Sequence, residues 1–311
     1  MKKGSLRYVF LGIRGMGMGA ADVVPGVSGG TIAFITGIYE ELINSIKGIN
    51  LEAFKLFFSG RWKSFWTQIN GNFLLAVFGG IFISVLSLAR VLEYLLEHHP
   101  VLIWSFFFGL VLASSYVVSR KITKWEYPKI VAIVGGIGIA FYITSVTPTT
   151  TSDASWFVIF SGALASCAMI LPGISGSFIL LLLGKYSFAL HAVNERIIPD
   201  LLLLGVGAVS GLILFANLLS WLLRKYHDIT ISVLVGFMIG SLNKIWPWKK
   251  TLETILVEGE LKPLVEKNIL PSVGNPGDQF ILALLMAVAG IALILFIEIG
   301  LTRNKKSGGD F

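Results

Sequence analysis

Charged residues are scarce in this sequence, and the most reactive residue types are nearly missing. Asp, Glu, Lys and Arg make up only 14% of the 311 residues, whereas soluble domains carry roughly 25%. There are four histidines and one cysteine, Cys167, which excludes an intramolecular disulfide and a cysteine metal cluster. Hydrophobic residues account for 55% of the chain, and the mean hydropathy is +0.79. This balance predicts an integral membrane protein.

Six stretches are long and apolar enough, or nearly so, to cross a membrane as helices, which takes about 20 residues. They are residues 73–96, 101–119, 130–146, 201–223, 229–246 and 279–301. Two further apolar regions, residues 11–46 and 156–193, are interrupted near the middle by proline and glycine. We predict that each forms a re-entrant hairpin of two half-length helices. The predicted fold class is an all-α polytopic membrane protein.

The two interruptions are copies of one motif. Pro25-Gly-Val-Ser-Gly29 matches Pro172-Gly-Ile-Ser-Gly176, and the same separation of 147 residues also relates Tyr39 to Tyr186. Proline lacks an N–H, and glycine adopts backbone angles that other residues avoid, so both residues stop a helix. Helices broken at matching places in two halves indicate the central binding site of a transporter. We expect the two breaks to meet near the middle of the membrane.

Lysine and arginine predict the orientation, because cytoplasmic loops are enriched in them. Basic residues flank both ends of the first hairpin, whereas residues 147–155, before the second hairpin, contain one charge, Asp153. The first hairpin is therefore predicted to enter from the cytoplasm and the second from outside. Lys249 and Lys250, at the start of a long outer loop, are an exception to this rule.

This orientation divides the chain into residues 1–147 and residues 148–311. Each part has one hairpin followed by three spans, and because three is odd, the second part is inverted relative to the first. The prediction is an inverted-topology repeat with both termini in the cytoplasm. The sequence does not decide between a monomer and a homodimer.

A helix that follows a break begins with N–H groups that have no partner within the helix, and these groups attract anions. Glycine lets a ligand approach the backbone, and hydroxyl groups add hydrogen bonds. The candidate phosphate-binding residues are Pro25, Gly26, Ser28, Gly29, Gly30, Thr31, Pro172, Gly173, Ser175, Gly176 and Ser177, with Arg14 and Arg90 adding positive charge. The alternative is structural: serine and threonine cap buried helices, and glycine allows close packing.

Asp22 lies in the membrane part of the first hairpin, where a charge is costly and usually functional. It is a candidate to couple transport to H+ or Na+, with Glu40 as a second candidate. The alternatives are pairing with Arg14 or a salt bridge at the membrane surface. For Glu40, and for Lys185 after the second break, a position at the membrane surface explains the charge equally well. The sequence predicts no metal site and no cofactor.

Other functions were weighed against a transporter. The segment Gly26–Gly30 fits a Gly-x-Ser-x-Gly nucleophile elbow, but the second copy breaks that pattern. Gly15, Gly17 and Gly19 resemble a dinucleotide loop but follow no strand, so they predict close helix packing instead. A membrane lipid phosphatase or pyrophosphatase, and a small-anion transporter or channel, remain open. Nucleic acid is not an expected partner, because loop lysines and arginines set orientation and meet anionic lipid.

The two motifs resemble the signatures of a known family. Ala21-Asp-Val-Val-Pro-Gly-Val-Ser-Gly-Gly-Thr-Ile-Ala-Phe34, then Gly37-Ile-Tyr-Glu40 and Leu171-Pro-Gly-Ile-Ser-Gly-Ser177, are similar to those of the polyprenyl-phosphate transporter family, PopT. The resemblance covers about residues 10–300. It implies a flippase that returns undecaprenyl phosphate from the outer to the inner leaflet of the bacterial cytoplasmic membrane. This step would recycle the lipid carrier for envelope and peptidoglycan synthesis.

Overall fold

The computed structural model describes residues 2–24, 27–149, 151–257, 260–271 and 279–306. Most of these residues are helical, and the long helices are apolar. The prediction of an all-α polytopic membrane protein is therefore confirmed. One two-stranded sheet is the exception within the described residues.

In the order of the chain, the first half contains three helices around the first break, two short helices and three long ones. They are α1 (Lys2–Val23), α2 (Gly29–Ile35), α3 (Tyr39–Lys47), α4 (Leu51–Phe58), α5 (Trp62–Gln68), α6 (Gly71–His98), α7 (Pro100–Ser119) and α8 (Tyr127–Ser145).

The second half repeats this order, except that it lacks counterparts of α4 and α5 and gains two strands. Its elements are α9 (Ser155–Ile170), α10 (Gly176–Leu182), α11 (Tyr186–Asn194), α12 (Ile198–Lys225), α13 (His227–Ser241), β1 (Lys249–Val257), β2 (Glu260–Asn268) and α14 (Phe280–Lys306).

Within the described residues, α6, α7, α8, α12 and α14 are long and apolar enough to cross a membrane. The sixth predicted span, residues 229–246, is shorter in the structure, because α13 ends at Ser241 after 15 residues. After that residue the chain makes tight turns, in which the Asn243 and Lys244 N–H groups donate three residues back. Pro247 follows soon after, and a proline disfavours helix in the residue before it.

Each hairpin was predicted to consist of two half-length helices, but the structure has three helices of unequal length in each. The helix before the break is a long one, 22 residues in α1 and 16 in α9. The return arm is split into a helix of seven residues and one of nine. The split occurs at Gly37 and Gly184, with φ of 76° and 64°, a conformation that glycine adopts easily. The angle between α10 and α11 is 110°.

Helix packing follows a repeating pattern. The helix before each break packs on the first long helix of its own half, α1 on α6 and α9 on α12. The remaining long helices pair across the halves, α7 with α14 and α8 with α13. In the order of the two halves, α7 corresponds to α13 and α8 to α14, so the α7–α14 pair is equivalent to the α13–α8 pair. A two-fold repeat would give this arrangement. The division into residues 1–147 and 148–311, and its inverted topology, stay a prediction.

Glycine brings these helix pairs into backbone contact. A methyl group on Gly15 would collide with the Val77 carbonyl of α6, and one on Gly19 would lie 2.7 Å from the Ile81 carbonyl oxygen. The prediction of close packing at this glycine segment is confirmed. In the α8–α13 pair, a methyl group on Gly236 would lie 2.9 Å from Cα of Gly136.

The sheet lies in the segment that sequence analysis treated as a long outer loop. β1 and β2 run antiparallel, with Lys249 opposite Asn268 and Thr251 opposite Glu266. The strand signal is weak because charged residues and Pro263 interrupt the apolar positions of both strands. The hairpin carries Lys249 and Lys250, the exception to the distribution of basic residues.

We predict opposite effects for two glycine substitutions on α14. In Gly290→Ala, the new methyl group would lie 2.9 Å from the Leu110 nitrogen and collide with the Phe106 carbonyl of α7. The expected loss is about 1–3 kcal/mol in the free energy of unfolding. Gly300→Ala meets nothing within 4 Å, so better helix propensity should leave stability unchanged or raise it by up to about 1 kcal/mol. Thermal unfolding of both purified variants checks this, and an equal change in both would contradict the packing argument.

Candidate functional site

The two helix breaks contact each other directly, as expected from the sequence. The Ser28 hydroxyl donates to the Met169 carbonyl oxygen at 3.1 Å. The backbone N–H of Gly173 donates to the Thr31 hydroxyl oxygen, also at 3.1 Å. The Tyr39 hydroxyl donates to the Ile170 carbonyl oxygen at 3.2 Å. Three hydrogen bonds therefore join the first break and its return arm to the second break.

These contacts satisfy backbone groups that the helices leave open. The last carbonyl groups of α9 have no partner within their helix, and two of them, on Met169 and Ile170, accept from Ser28 and Tyr39. The approach is close at Gly30, where a Cβ would lie 2.5 Å from the Ile170 carbonyl oxygen. Glycine at this position allows α2 to reach the end of α9.

A carboxylate of the chain itself occupies the start of α2. The N–H of Gly29 donates to Asp22 Oδ1 at 2.7 Å. The Ser28 hydroxyl also accepts from the Gly30 N–H at 3.1 Å, which makes Ser28 the N-cap. Asp22 thus provides the negative charge that the positive end of a helix attracts. No ion pair between Asp22 and Arg14 occurs in the part of the chain that the structure describes.

The second break is built differently. Met169 stands at the position equivalent to Asp22, so no carboxylate occupies the start of α10. Ser175 does not cap α10; its hydroxyl instead forms a 2.8 Å hydrogen bond with the Ser177 hydroxyl. Ser28 and Thr31 are fully buried, whereas Ser177 is exposed. The described hydroxyl groups of the first break are therefore buried, whereas the second break leaves one of its two hydroxyl groups exposed.

Several predicted site residues lie away from these contacts. Arg14 is half-buried on α1, and Arg90 is exposed on α6. Glu40 lies at the start of α3 with a carboxylate oxygen 3.7 Å from Nε2 of His227. Pro25 and Gly26 are outside the described residues.

Two lysines position the return arms. Lys121 donates to the Phe34 carbonyl oxygen at 3.3 Å, near the end of α2, where a positive charge is favourable. Lys185 is 1% exposed, so its ammonium group does not lie in solvent as the surface alternative required. Its ammonium group binds Asp153 Oδ1 at 2.6 Å and the Thr151 carbonyl oxygen at 3.0 Å, so a local ion pair stabilises the buried charge.

Sequence analysis did not include Tyr39 and Lys121 among the candidate residues. Tyr39 is 2% exposed and packs on Phe34 with ring centroids 4.6 Å apart. Its match with Tyr186 at the same separation as the motifs was a signal of its importance. Lys121 had no such signal, because its contact depends on how α7 packs against α2.

The described residues contain no group of three or more His, Cys, Asp and Glu side chains placed to hold a metal ion. The groups available for ligand binding at the breaks are hydroxyl groups, backbone N–H groups and one carboxylate. Such groups can bind an oxyanion or exchange a proton.

Comparison with known proteins identifies the family of this chain. The family model described as "VCA0040-like: Undecaprenyl phosphate translocase-like" matches residues 18–261. A polyprenyl-phosphate transporter of Vibrio cholerae is 45% identical over 299 residues, which cover 94% of this chain and 97% of the relative. A polyprenyl-phosphate transporter of Staphylococcus aureus is 33% identical over 76% of this chain and 85% of its own length. No solved structure matches the chain. The chain therefore belongs to the undecaprenyl phosphate translocase-like family.

Proposed function

We propose that this protein transports undecaprenyl phosphate across the bacterial cytoplasmic membrane, from the outer to the inner leaflet. The observation that carries the proposal is the similarity, over nearly the whole chain, to a curated polyprenyl-phosphate transporter. The transported lipid is the carrier of cell-envelope synthesis, and the transport step recycles it. Both termini lie in the cytoplasm in this proposal.

The hydrogen bonds between the two breaks are the contacts that change during transport. When the hairpins separate, Ser28, Thr31 and Tyr39 lose their partners on α9 and around Gly173, and their polar groups become available to a ligand. When the hairpins close, the same groups bind each other again. Non-helical backbone at membrane depth needs such partners, or a wet cavity, in every state.

The phosphate group binds the second break before it reaches the first. Ser175 and Ser177 hydroxyl groups bond each other in the closed conformation, and an incoming phosphate replaces that bond with two bonds to its own oxygens. Charge-assisted hydrogen bonds of this kind are stronger than those between neutral groups. Ser28 and Thr31 add their hydroxyl groups after the hairpins separate.

Asp22 couples this movement to an ion gradient, with H+ or Na+ as the ion. Its carboxylate holds the start of α2 through the Gly29 N–H. Protonation or binding of a cation weakens that hydrogen bond, because a neutral acceptor binds an N–H less strongly than a charged one. The start of α2 is then available to the negatively charged substrate.

We predict that Ser175→Ala and Ser28→Ala both slow transport by about tenfold, because each removes one hydrogen bond to a charged group. Transport is measured in proteoliposomes as the fraction of undecaprenyl phosphate that a membrane-impermeant phosphatase can reach. Ser210→Ala is the matched control, because within the described part of the chain Ser210 bonds carbonyl oxygens of its own helix, α12.

Transport that is unchanged in both variants would contradict the role of the serines. Release of phosphate from undecaprenyl pyrophosphate by the purified protein, without flipping, would identify an enzyme instead. Flux of free phosphate without lipid flipping would identify a small-anion transporter.

We further predict that Asp22→Asn separates coupling from folding. Asparagine keeps an oxygen acceptor for the Gly29 N–H but has no charge, so the unfolding midpoint should change little. Stimulation of lipid flipping by a pH or sodium gradient should be lost. Asp22→Ala removes the acceptor as well and should cost about 1 kcal/mol of stability. Gradient stimulation that survives in Asp22→Asn would rule out Asp22 as the coupling residue.

A further inference from the structure

A polar cavity lies between the β-hairpin and the ends of α8 and α13. Its volume is about 300 Å³, and its lining includes residues from the end of α8, the turn after α13 and both strands. At about 30 Å³ per water molecule, this space admits a phosphate group together with several waters. No residue of the cavity belongs to the predicted site.

The charge in this cavity is positive. Lys244 and Lys249 both contact the same oxygen, Oε2 of Glu266, at 3.5 Å and 3.3 Å. Lys267 also lines the cavity. The described lining residues therefore include three lysines and one carboxylate, and two of the lysines contact that carboxylate.

Lys249 is held in a fixed and buried position. Its side chain is 8% exposed, and its ammonium group lies 4.3 Å from the centre of the Trp104 ring. Burial lowers the pKa of Lys249 to about 8, Glu266 opposes this shift, and Lys244 adds to it. Burying an ammonium group that shares its only carboxylate with a second lysine is costly, and a bound anion would offset that cost.

Neutral donors surround the lysines. The Asn243 amide donates to Thr144 Oγ1 at 3.2 Å, and the Asn268 amide donates to the Asn243 carbonyl oxygen at 2.8 Å. These amide and hydroxyl groups can turn toward a ligand oxygen.

The cavity borders the second hairpin. Lys244 lies over the Phe178 ring, with Nζ 4.9 Å from the ring centre. Phe178 lines the cavity and follows Ser177, the exposed serine of the second break. In the proposed orientation, both the cavity and this hairpin open to the outer side of the membrane.

We propose that this cavity binds a phosphate monoester through Lys244 and Lys249 and captures the substrate before it reaches the second break. This inference rests on the proposed function for the identity of its ligand. The shared chemistry is a phosphate dianion, whose source is a lipid headgroup or free phosphate.

The test is the binding of farnesyl phosphate to the purified full-length protein in detergent, with farnesol and inorganic phosphate as comparison ligands. Lys244→Gln and Lys249→Gln should each weaken farnesyl phosphate binding by about tenfold, because each removes one charged donor. Glu266→Gln should strengthen binding, because it removes the only described carboxylate that contacts these lysines. Lys250→Gln is the matched control, since Lys250 is the next residue of β1, is exposed and does not line the cavity.

The opposite effects of the lysine and glutamate variants distinguish a binding site from a structural ion pair. If Glu266→Gln weakens binding as much as the lysine variants do, the proposal is overturned. Binding of farnesyl phosphate but neither farnesol nor inorganic phosphate supports a lipid headgroup as the ligand. Equal, lysine-dependent binding of inorganic phosphate supports a soluble anion.

The proteoliposome assay shows whether the capture site or the proposed transport function has failed. If the protein flips the lipid normally and no cavity variant changes the binding of farnesyl phosphate, the capture site alone is overturned. Lysine-dependent binding without flipping by the wild type would overturn the lipid transporter and leave the anion site.

We also expect the affinity for farnesyl phosphate to depend on pH. A phosphate monoester becomes a dianion above about pH 6, and Lys249 loses its positive charge as the pH rises through about 8. Binding should therefore be strongest between these values and fall on the alkaline side. In Lys249→Gln the fall near pH 8 should disappear, and its persistence would exclude Lys249 as its cause.

Discussion

The carbonyl groups at the end of α9 need hydrogen-bond donors, and this requirement joins the two halves of the chain. At the predicted depth of the breaks in the bilayer, water is too scarce to provide donors, and protein groups do so. Ser28 and Tyr39 supply them from the first half. Their positions depend in turn on the short helix α2, on the glycine that lets it approach α9, and on the turn at Gly37 that leads to Tyr39. The two breaks are therefore one structural unit with shared polar contacts.

The two copies of the repeat differ in a side chain next to the breaks. The first break contains its own carboxylate, Asp22, whereas the second has Met169 in the same place. In the first break the described hydroxyl groups are buried and hydrogen-bonded, and the second break keeps an exposed serine. In a transporter, this difference would give the two hairpins different functions. In the proposed function, the first responds to an ion and the second receives the phosphate.

Local patterns in the sequence predict five of the spans, the two breaks and their contact. Apolar length defines a span, and proline with glycine marks a break, whatever the rest of the fold does. Tertiary contacts decide the burial of Lys185 beside Asp153 and the contact of Lys121 with Phe34. The early end of α13 follows instead from the local turns before Pro247. The β-hairpin was missed because charged residues obscure the alternation of its strands. Lys249 and Lys250 nevertheless broke the expected distribution of charge, and Lys249 proved to line a cavity.

The glycine contacts between α7 and α14, and between α8 and α13, also limit how the molecule moves. Backbones in direct contact leave no space for a side chain, so a shift of one helical turn, about 5.4 Å, would force a larger residue into the position that glycine now occupies. Each half contributes one helix to each pair, so neither half can slide past the other as a rigid body. These four helices thus form a fixed frame in the proposed transport cycle. The parts that move in that cycle are the hairpins together with α6 and α12, because α1 and α9 are held to those helices by glycine contacts of the same kind.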